Sequence, residues 1–413
     1  ASWGFLSLAI IAGMWWSYDV LGWGGYWAWD PVENSSLVPW LISVAALHTM
    51  ISQKISGTSH KASFLLNILA FVLVVYSTFL TRSGVLGDTS VHSFTDLGLY
   101  NQLLLWILTL GGIGVALFVK RYRALPVPKH EMNVLSREFM IFSGAMILCA
   151  LGAVILLGTS TPILGSLFRD NPSTVDISFY NRWSLPLAVL MALVAGMGPL
   201  FWWKKMTREQ VGDVLFRPMV LSTVSTVVVL LFTPFVEHVV QPTLMGDGSG
   251  ATAQLMASGV GAAMGQYWSS FGTGLLLLLL VFASFFALYG NGIVLWRIGR
   301  GNPRMAGGAV SHIGLVLMLF GIVTSSVFNN PLGDQKSGER EVFVLDEGVP
   351  VTVEGYQVTF TGHEPNEQGR TAYHLSFTDP AGRSFEVSPV TYITRRGQWF
   401  QSPATKHFLE KDV

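Results

Sequence analysis

Apolar runs long enough to cross a bilayer, about 20 residues each, recur along most of this 413-residue chain and constrain its fold more than any other feature. Roughly nine are present: Trp3 to Tyr18, Leu37 to Gln53, Ala62 to Leu80, Leu99 to Lys120, Phe139 to Gly158, Trp183 to Trp203, Met219 to Val236, Phe271 to Trp296 and Met305 to Phe328. The fold class expected is therefore an all-α polytopic membrane protein. Charged residues make up 12% of the chain, about half an ordinary globular share, which agrees with lipid as the solvent. The formal charge is zero and no basic stripe is present, so nucleic acid is not an expected partner. The single cysteine, Cys149, excludes an intrachain disulfide and a CxxC pair, and reads as a small buried hydrophobe.

The connecting loops set the expected orientation. Lys54 and Lys61, then Lys120, Arg121, Arg123, Lys129 and Arg137, then Lys204, Lys205, Arg208 and Arg217, then Arg297, Arg300 and Arg304 fall on one side, which the positive-inside rule makes cytoplasmic. The opposite loops carry only Arg82, Arg169 and Arg182. Two outer loops, Thr159 to Asn181 and Thr252 to Met264, read as linkers or as short helices lying at the interface.

After Phe328 the texture changes. NNPLGDQKSG is a breaker-rich boundary, and beyond it apolar residues alternate at Val351 and Val353, Val358 and Phe360, Leu375 and Phe377. DPAGR, Asp379 to Arg383, reads as a hairpin connection. The expected organisation is thus a transmembrane helical domain over 1–328, with a tryptophan-rich segment 22–40 and an outer loop 81–97, followed by a small outer-face β domain over 329–413. The opening ASWGFLSLAIIAGMWW lacks an initiator methionine and a basic n-region, and KHFLEKDV ends in a strand-like context, so the chain reads as a fragment.

GWGGYWAWDPVENSSLVPW, residues 22–40, holds Trp23, Tyr26, Trp27, Trp29 and Trp40 without a lysine or arginine. Its Asp30-Pro31-Val32-Glu33 is a helix-start signature that needs no ligand. An aromatic belt explains one or two rings per helix end, yet six of the fourteen tryptophans lie between Trp15 and Trp40. A platform for a flat, polarizable, largely apolar ligand explains the cluster better, because aromatic rings stack face to face on such a ligand.

His48 and His312 are the histidines well inside apolar runs, at comparable depths from the cytoplasmic side. Two neutral imidazoles from different helices at equal depth suit bis-axial ligation of a haem iron. A hydrogen bond inside the bundle accounts for each of them equally well. His92, in the outer loop TRSGVLGDTSVHSF, is by itself most simply a solvated loop residue. With an aromatic platform on the same face it is also placed to coordinate iron, and Arg82 to pair with a propionate. The remaining histidines read as surface residues.

With LTRSGVLGDTSVHSF and the intramembrane histidine of GGAVSHIGLVLMLFGIV, the segment 22–40 resembles the WWD-motif haem-handling proteins of cytochrome c biogenesis, and among them the CcmF haem lyase family. Tyr26 stands where that family often has tryptophan. The resemblance implies that Trp23, Tyr26, Trp27, Trp29, Asp30 and Trp40 hold, with His92, an outer-face haem delivered by the chaperone CcmE. It implies that His48 and His312 are the axial pair of a resident intramembrane haem b, thought to reduce the incoming iron. The family's first outer histidine lies in helices that precede the WWD segment and have no counterpart here.

The implied activity is that of a holocytochrome c synthase: haem, as transferred substrate, is joined through thioethers to the CxxCH cysteines of apocytochrome c. No side chain of this chain is assigned as acid or base, since the work is orientation and control of iron redox state. Further implied partners are other maturation subunits such as CcmH, and the implied location is the bacterial inner membrane, with the aromatic segment and β domain periplasmic. Three other readings compete. They are a haem exporter or chaperone loader sharing the motif, a transport subunit, which would call for carboxylates or lysines near the bilayer centre, and a non-haem structural subunit.

Overall fold

Apolar runs separated by polar loops fold into helices because lipid offers the backbone no partner, and each helix satisfies its own amides and carbonyls. A computed structural model describes residues 2–20, 26–83, 85, 98–128, 132–165, 168, 175–236, 239, 260–328, 344–353, 355–366, 370–393, 399–402, 404 and 406. They fall into two compact units, residues 29–329 and residues 1–28 with 330–413.

The first unit runs α2 (Pro31–Ser56), α3 (His60–Arg82), α4 (Tyr100–Arg121), α5 (Arg137–Thr159), the short α6 (Thr161–Gly165), α7 (Ile177–Leu200), α8 (Arg208–Phe232), α9 (Val260–Gly299), a 3-10 turn (Pro303–Met305) and α10 (Gly307–Val327). Among the described residues, eight helices are long and apolar enough to cross a membrane: α2, α3, α4, α5, α7, α8, the 272–299 part of α9, and α10. The expected run at Trp3 to Tyr18 does form a 19-residue helix, α1 (Ser2–Val20), but its tryptophans, serines and aspartate keep it outside those eight. The expected outer linker after Thr159 contains α6, and the run expected from Phe271 begins earlier, at Val260.

Local chemistry sets the helix ends. Asp30 caps α2: its carboxylate accepts from the Val32 amide at 2.9 Å, Glu33 reaches back to the Asp30 amide at 3.3 Å, and Pro31 fills the first helical position. Gly57 ends the helix with φ 74°, a conformation a side chain disfavours. The last carbonyls of α7 are satisfied by the Arg137 guanidinium, which donates to Gly198 O at 3.1 Å, Phe201 O at 2.8 Å and Pro199 O.

Packing follows chain order. α2 lies against α3 and α5, α3 against α4, α5 against α7, α7 against α9, and α9 against α8 and α10. Val38, Leu41, Ile42 and Ala45 of α2 meet Leu148, Leu151 and Ile155 of α5 in one core; Leu280, Val281 and Ala283 of α9 meet Leu319 and Val323 of α10 in another. Where α7 crosses α9, the backbones touch: a Cβ on Gly290 would lie 2.8 Å from the Gly196 carbonyl oxygen, the close approach that small residues permit between membrane helices. α4 buries no residue, and its exposed Leu105, Trp106 and Leu108 are the outward face expected of a helix in lipid.

In the other unit, β1 (Pro350–Val353), β2 (Tyr356–Pro365), β3 (Thr371–Thr378), β4 (Ser384–Val387), β5 (Val390–Ile393) and β6 (Trp399–Ser402) form an antiparallel sheet of order β1-β2-β3-β5-β6, with β4 also paired to β3. Val353, Tyr356, Val358, Phe377 and Phe385 make its core, and Val351 and Leu375 pack against it. DPAGR is the β3 to β4 hairpin. The Asp379 carboxylate accepts from the Arg383 amide, from Arg383 Nε at 2.7 Å and from the Ala381 amide, which holds its pKa below the usual carboxylate value.

Candidate functional site

Two helices far apart in sequence bring His48 of α2 and His312 of α10 together. Their ring centroids are 6.1 Å apart and their planes lie within 8° of parallel. Each ring is oriented through Nδ1. His48 Nδ1 lies 2.8 Å from the Val44 carbonyl, one turn back on its own helix, and must donate to it.

His312 Nδ1 lies 3.2 Å from Oδ1 of Asn291, on α9. The amide of Asn291 cannot be reversed, because its Nδ2 donates to Ala195 O at 3.0 Å and to Ala287 O at 2.8 Å. Oδ1 therefore faces the imidazole, and His312 donates from Nδ1. The bond to Ala195 O has a cause in the sequence: the residue four places on is Pro199, which has no N–H to offer that carbonyl, and Asn291 takes its place. Asn291, with no exposed surface, ties α7, α9 and α10 together behind His312.

With both Nδ1 atoms donating, both Nε2 atoms carry a lone pair, the state required of metal ligands. Two imidazoles bonded to a common iron at the usual metal–nitrogen distance of about 2.0 Å would hold their ring centroids about 6.3 Å apart. The observed separation, 6.1 Å, is of the same size. Among the described residues no three His, Cys, Asp or Glu side chains converge on a metal site. A pair is what a porphyrin iron needs, because its four other ligands come from the macrocycle.

The tryptophan-rich segment is divided between the two units. In the unit of residues 29–329, Trp29 has φ 56°, a left-handed backbone unfavourable for so bulky a residue. Three contacts hold it. Its ring stacks on Tyr180 of α7, with centroids 5.1 Å apart and planes within 8°. Its Nε1 donates to Asn181 Oδ1 at 2.9 Å, and its carbonyl accepts from Asn34 Nδ2 at 2.9 Å. Trp40 is half-buried against the α2 and α5 core. In the other unit Tyr26 and Trp27 are half-buried, and the Tyr26 carbonyl accepts from Ser17 Oγ at 3.4 Å.

Trp23 and His92 lie outside the described residues, as does nearly all of the outer loop 81–97. Arg82 is the exposed last residue of α3. Of the histidines read as surface residues, His60 Nδ1 meets the Gly57 carbonyl at 3.0 Å, His363 lies beside the rings of Phe360 and Tyr373, and His374 lies 3.5 Å from Glu364. Sequence reasoning missed Asn291, Tyr180 and Asn181. For Asn291 a signal existed, an amide in the middle of an apolar run.

The family model for the cytochrome c assembly protein matches residues 1–86. A cytochrome c-type biogenesis protein CcmF of Pseudomonas fluorescens is 30% identical over 375 residues, which is 87% of this chain and 49% of that protein. The CcmF of Escherichia coli K12 is 36% identical over 254 residues, 60% of this chain and 37% of that one. A solved structure of a cytochrome c heme lyase CcmF superposes with a TM-score of 0.65 at 27% identity, covering 98% of this chain and 57% of the other. The chain thus spans about half the length or less of these curated relatives.

Proposed function

The chain is related to the CcmF-type cytochrome c assembly proteins, and from that footing we propose that it carries the haem-handling core of a haem lyase in cytochrome c maturation. The observation that supports this most is the parallel His48 and His312 pair, at the spacing of two axial ligands and with both Nδ1 atoms already engaged.

His48 and His312 would hold a haem b through Nε2. Bound there, haem b supplies one-electron chemistry, in keeping with a role in reducing the iron of the incoming haem. The Val44 carbonyl and Asn291 fix the ring tautomers and raise the basicity of the ligating nitrogens. By sequence, Trp23, Tyr26, Trp27, Trp29, Asp30 and Trp40, with His92 and Arg82, make up the segment that receives substrate haem from CcmE. Asp30 contributes by capping α2, and Tyr180 and Asn181 contribute by holding Trp29 in its strained conformation. In this reading the protein orients haem against the two CxxCH thiols of apocytochrome c, works with subunits such as CcmH, and lies in a bacterial inner membrane with its Lys/Arg-rich loops cytoplasmic.

The test is covalent haem attachment to a CxxCH reporter in cells that depend on the protein carrying this chain. His312→Ala and His48→Ala are expected to leave the reporter without covalent haem at normal membrane levels of the protein. Normal attachment in both variants would contradict the reading.

A further inference from the structure

Away from the histidine pair, residues of α8, α9 and α10 line an open hollow of about 460 Å³. Tyr289, Ile293 and Trp296 line it at helical spacing along one face of α9, with Arg297 beside them, Arg217 across from α8 and Ile313 from α10. Asn291 points to the opposite side of α9, so the cavity is separate from the imidazole site.

The chemistry of the walls is graded. The Tyr289 hydroxyl is bonded to Ser225 Oγ of α8 at 2.7 Å, which fastens the inner end. At the other end, nearer the end of α9, Trp296 carries the Arg300 guanidinium 4.2 Å over its ring, which brings a third arginine to the rim. Among the described residues neither Arg217 nor Arg297 has a carboxylate within ion-pair distance. Space is left by Gly292, where an added Cβ would meet nothing within 4 Å.

Two guanidiniums without a carboxylate partner present donors matched to phosphate oxygens. Ile293 and Ile313 beside them suit hydrocarbon, and Trp296, three residues from the end of α9, is the kind of residue that sits at headgroup level. Arg297 is two residues from the end of α9, and Arg217 stands nine residues into a helix that starts from the Lys204 and Lys205 side, so both belong to the basic end of the bundle. A ligand with a phosphate head and an apolar tail satisfies every wall at once; free phosphate would leave the aliphatic wall against water.

We propose that the cavity between Arg217, Arg297 and Trp296 is a binding site for the headgroup of an anionic phospholipid, with an acyl chain along Ile293 and Ile313. The test is native mass spectrometry of the delipidated, detergent-purified chain titrated with phosphatidylglycerol, phosphatidylcholine or inorganic phosphate. Phosphatidylglycerol is expected to bind in preference to phosphatidylcholine. Arg217→Gln with Arg297→Gln is expected to weaken that binding by about thirtyfold, the loss due to two cations facing an anionic headgroup. Gly292→Leu, which keeps every arginine and fills the space, is expected to weaken it too. Equal retention by the variants, equal binding of phosphatidylcholine, or competition by inorganic phosphate at comparable concentration would each overturn the proposal.

Discussion

Asn291→Leu replaces a buried amide by an aliphatic side chain of similar size and breaks three hydrogen bonds. The bond to Ala287 O costs least, because that carbonyl still accepts the helical bond of residue 291. Ala195 O loses the donor that stands in for the missing Pro199 N–H, and His312 Nδ1 loses the Asn291 acceptor. Within membrane proteins such bonds are worth about 0.6 to 1.7 kcal/mol each, so the two lost bonds together cost about 1 to 3 kcal/mol of stability.

The same change frees the His312 ring to rotate and to change tautomer, and losing such an outer partner lowers affinity for a bound metal centre by about 10- to 100-fold. Asn291→Asp helps to separate the two effects: it keeps an oxygen for His312 and exchanges the two amide donors for at most one carboxyl O–H. The assay is haemin titration of the purified protein beside thermal unfolding without haemin. Asn291→Leu is expected to lose both stability and haem affinity, and Asn291→Asp chiefly stability. Equal haem affinity in wild type and Asn291→Leu would refute the positioning argument, whatever happens to the melting curve.

Three other changes test the packing, the tryptophan and the sheet. Gly290→Ala puts a Cβ 2.8 Å from the Gly196 carbonyl oxygen and should destabilise by about 1 to 3 kcal/mol in thermal unfolding, whereas Gly292→Ala meets open space and should not. Trp29→Phe keeps a ring against Tyr180 but loses the donor to Asn181, and should cost about 0.5 to 1.5 kcal/mol; Trp29→Ala should cost clearly more, and identical melting temperatures for the two would count against the stacked arrangement. The folded pKa of Asp379 is lowered, so its stabilisation is complete above the unfolded value of about 3.9 and fades as pH falls through the folded one. Hydrogen-exchange protection of the β3 and β4 amides, taken relative to the intrinsic rate at each pH, should fall over that acid range in the wild type, and Asp379→Asn should remove this dependence.

Much of the helical architecture could be read from the chain because lipid imposes a single rule on every spanning segment, and run length alone then marks the helices. α1 shows where that rule weakens, since tryptophans and a terminal aspartate lie within a helix of sufficient length. The sheet was readable from the alternation at Val351, Val353, Leu375 and Phe377, and its hairpin from DPAGR, because the side chains of Asp379 and Arg383 build the turn locally.

His48 and His312 stood out because an imidazole in an apolar run is costly. Their approach to 6.1 Å was not readable, since it depends on how α2 packs on α5, α5 on α7, and α7 and α9 on α10. Asn291 escaped notice because its partners, Ala195 O and His312, are distant in sequence, although Pro199 marks the carbonyl that needed it. Trp29 read only as part of a ligand platform; its stack on Tyr180 depends on a contact with a helix far along the chain.

The pairing of His48 with His312 as axial ligands is best tested by the visible absorption spectrum of the detergent-purified chain, oxidised and reduced, beside His48→Ala and His312→Ala. A low-spin b-type spectrum in the wild type, lost in each variant while the fold is kept, is the expected result. A wild-type chain that folds in ample haem and stays colourless, or a low-spin spectrum that survives both substitutions, would contradict it.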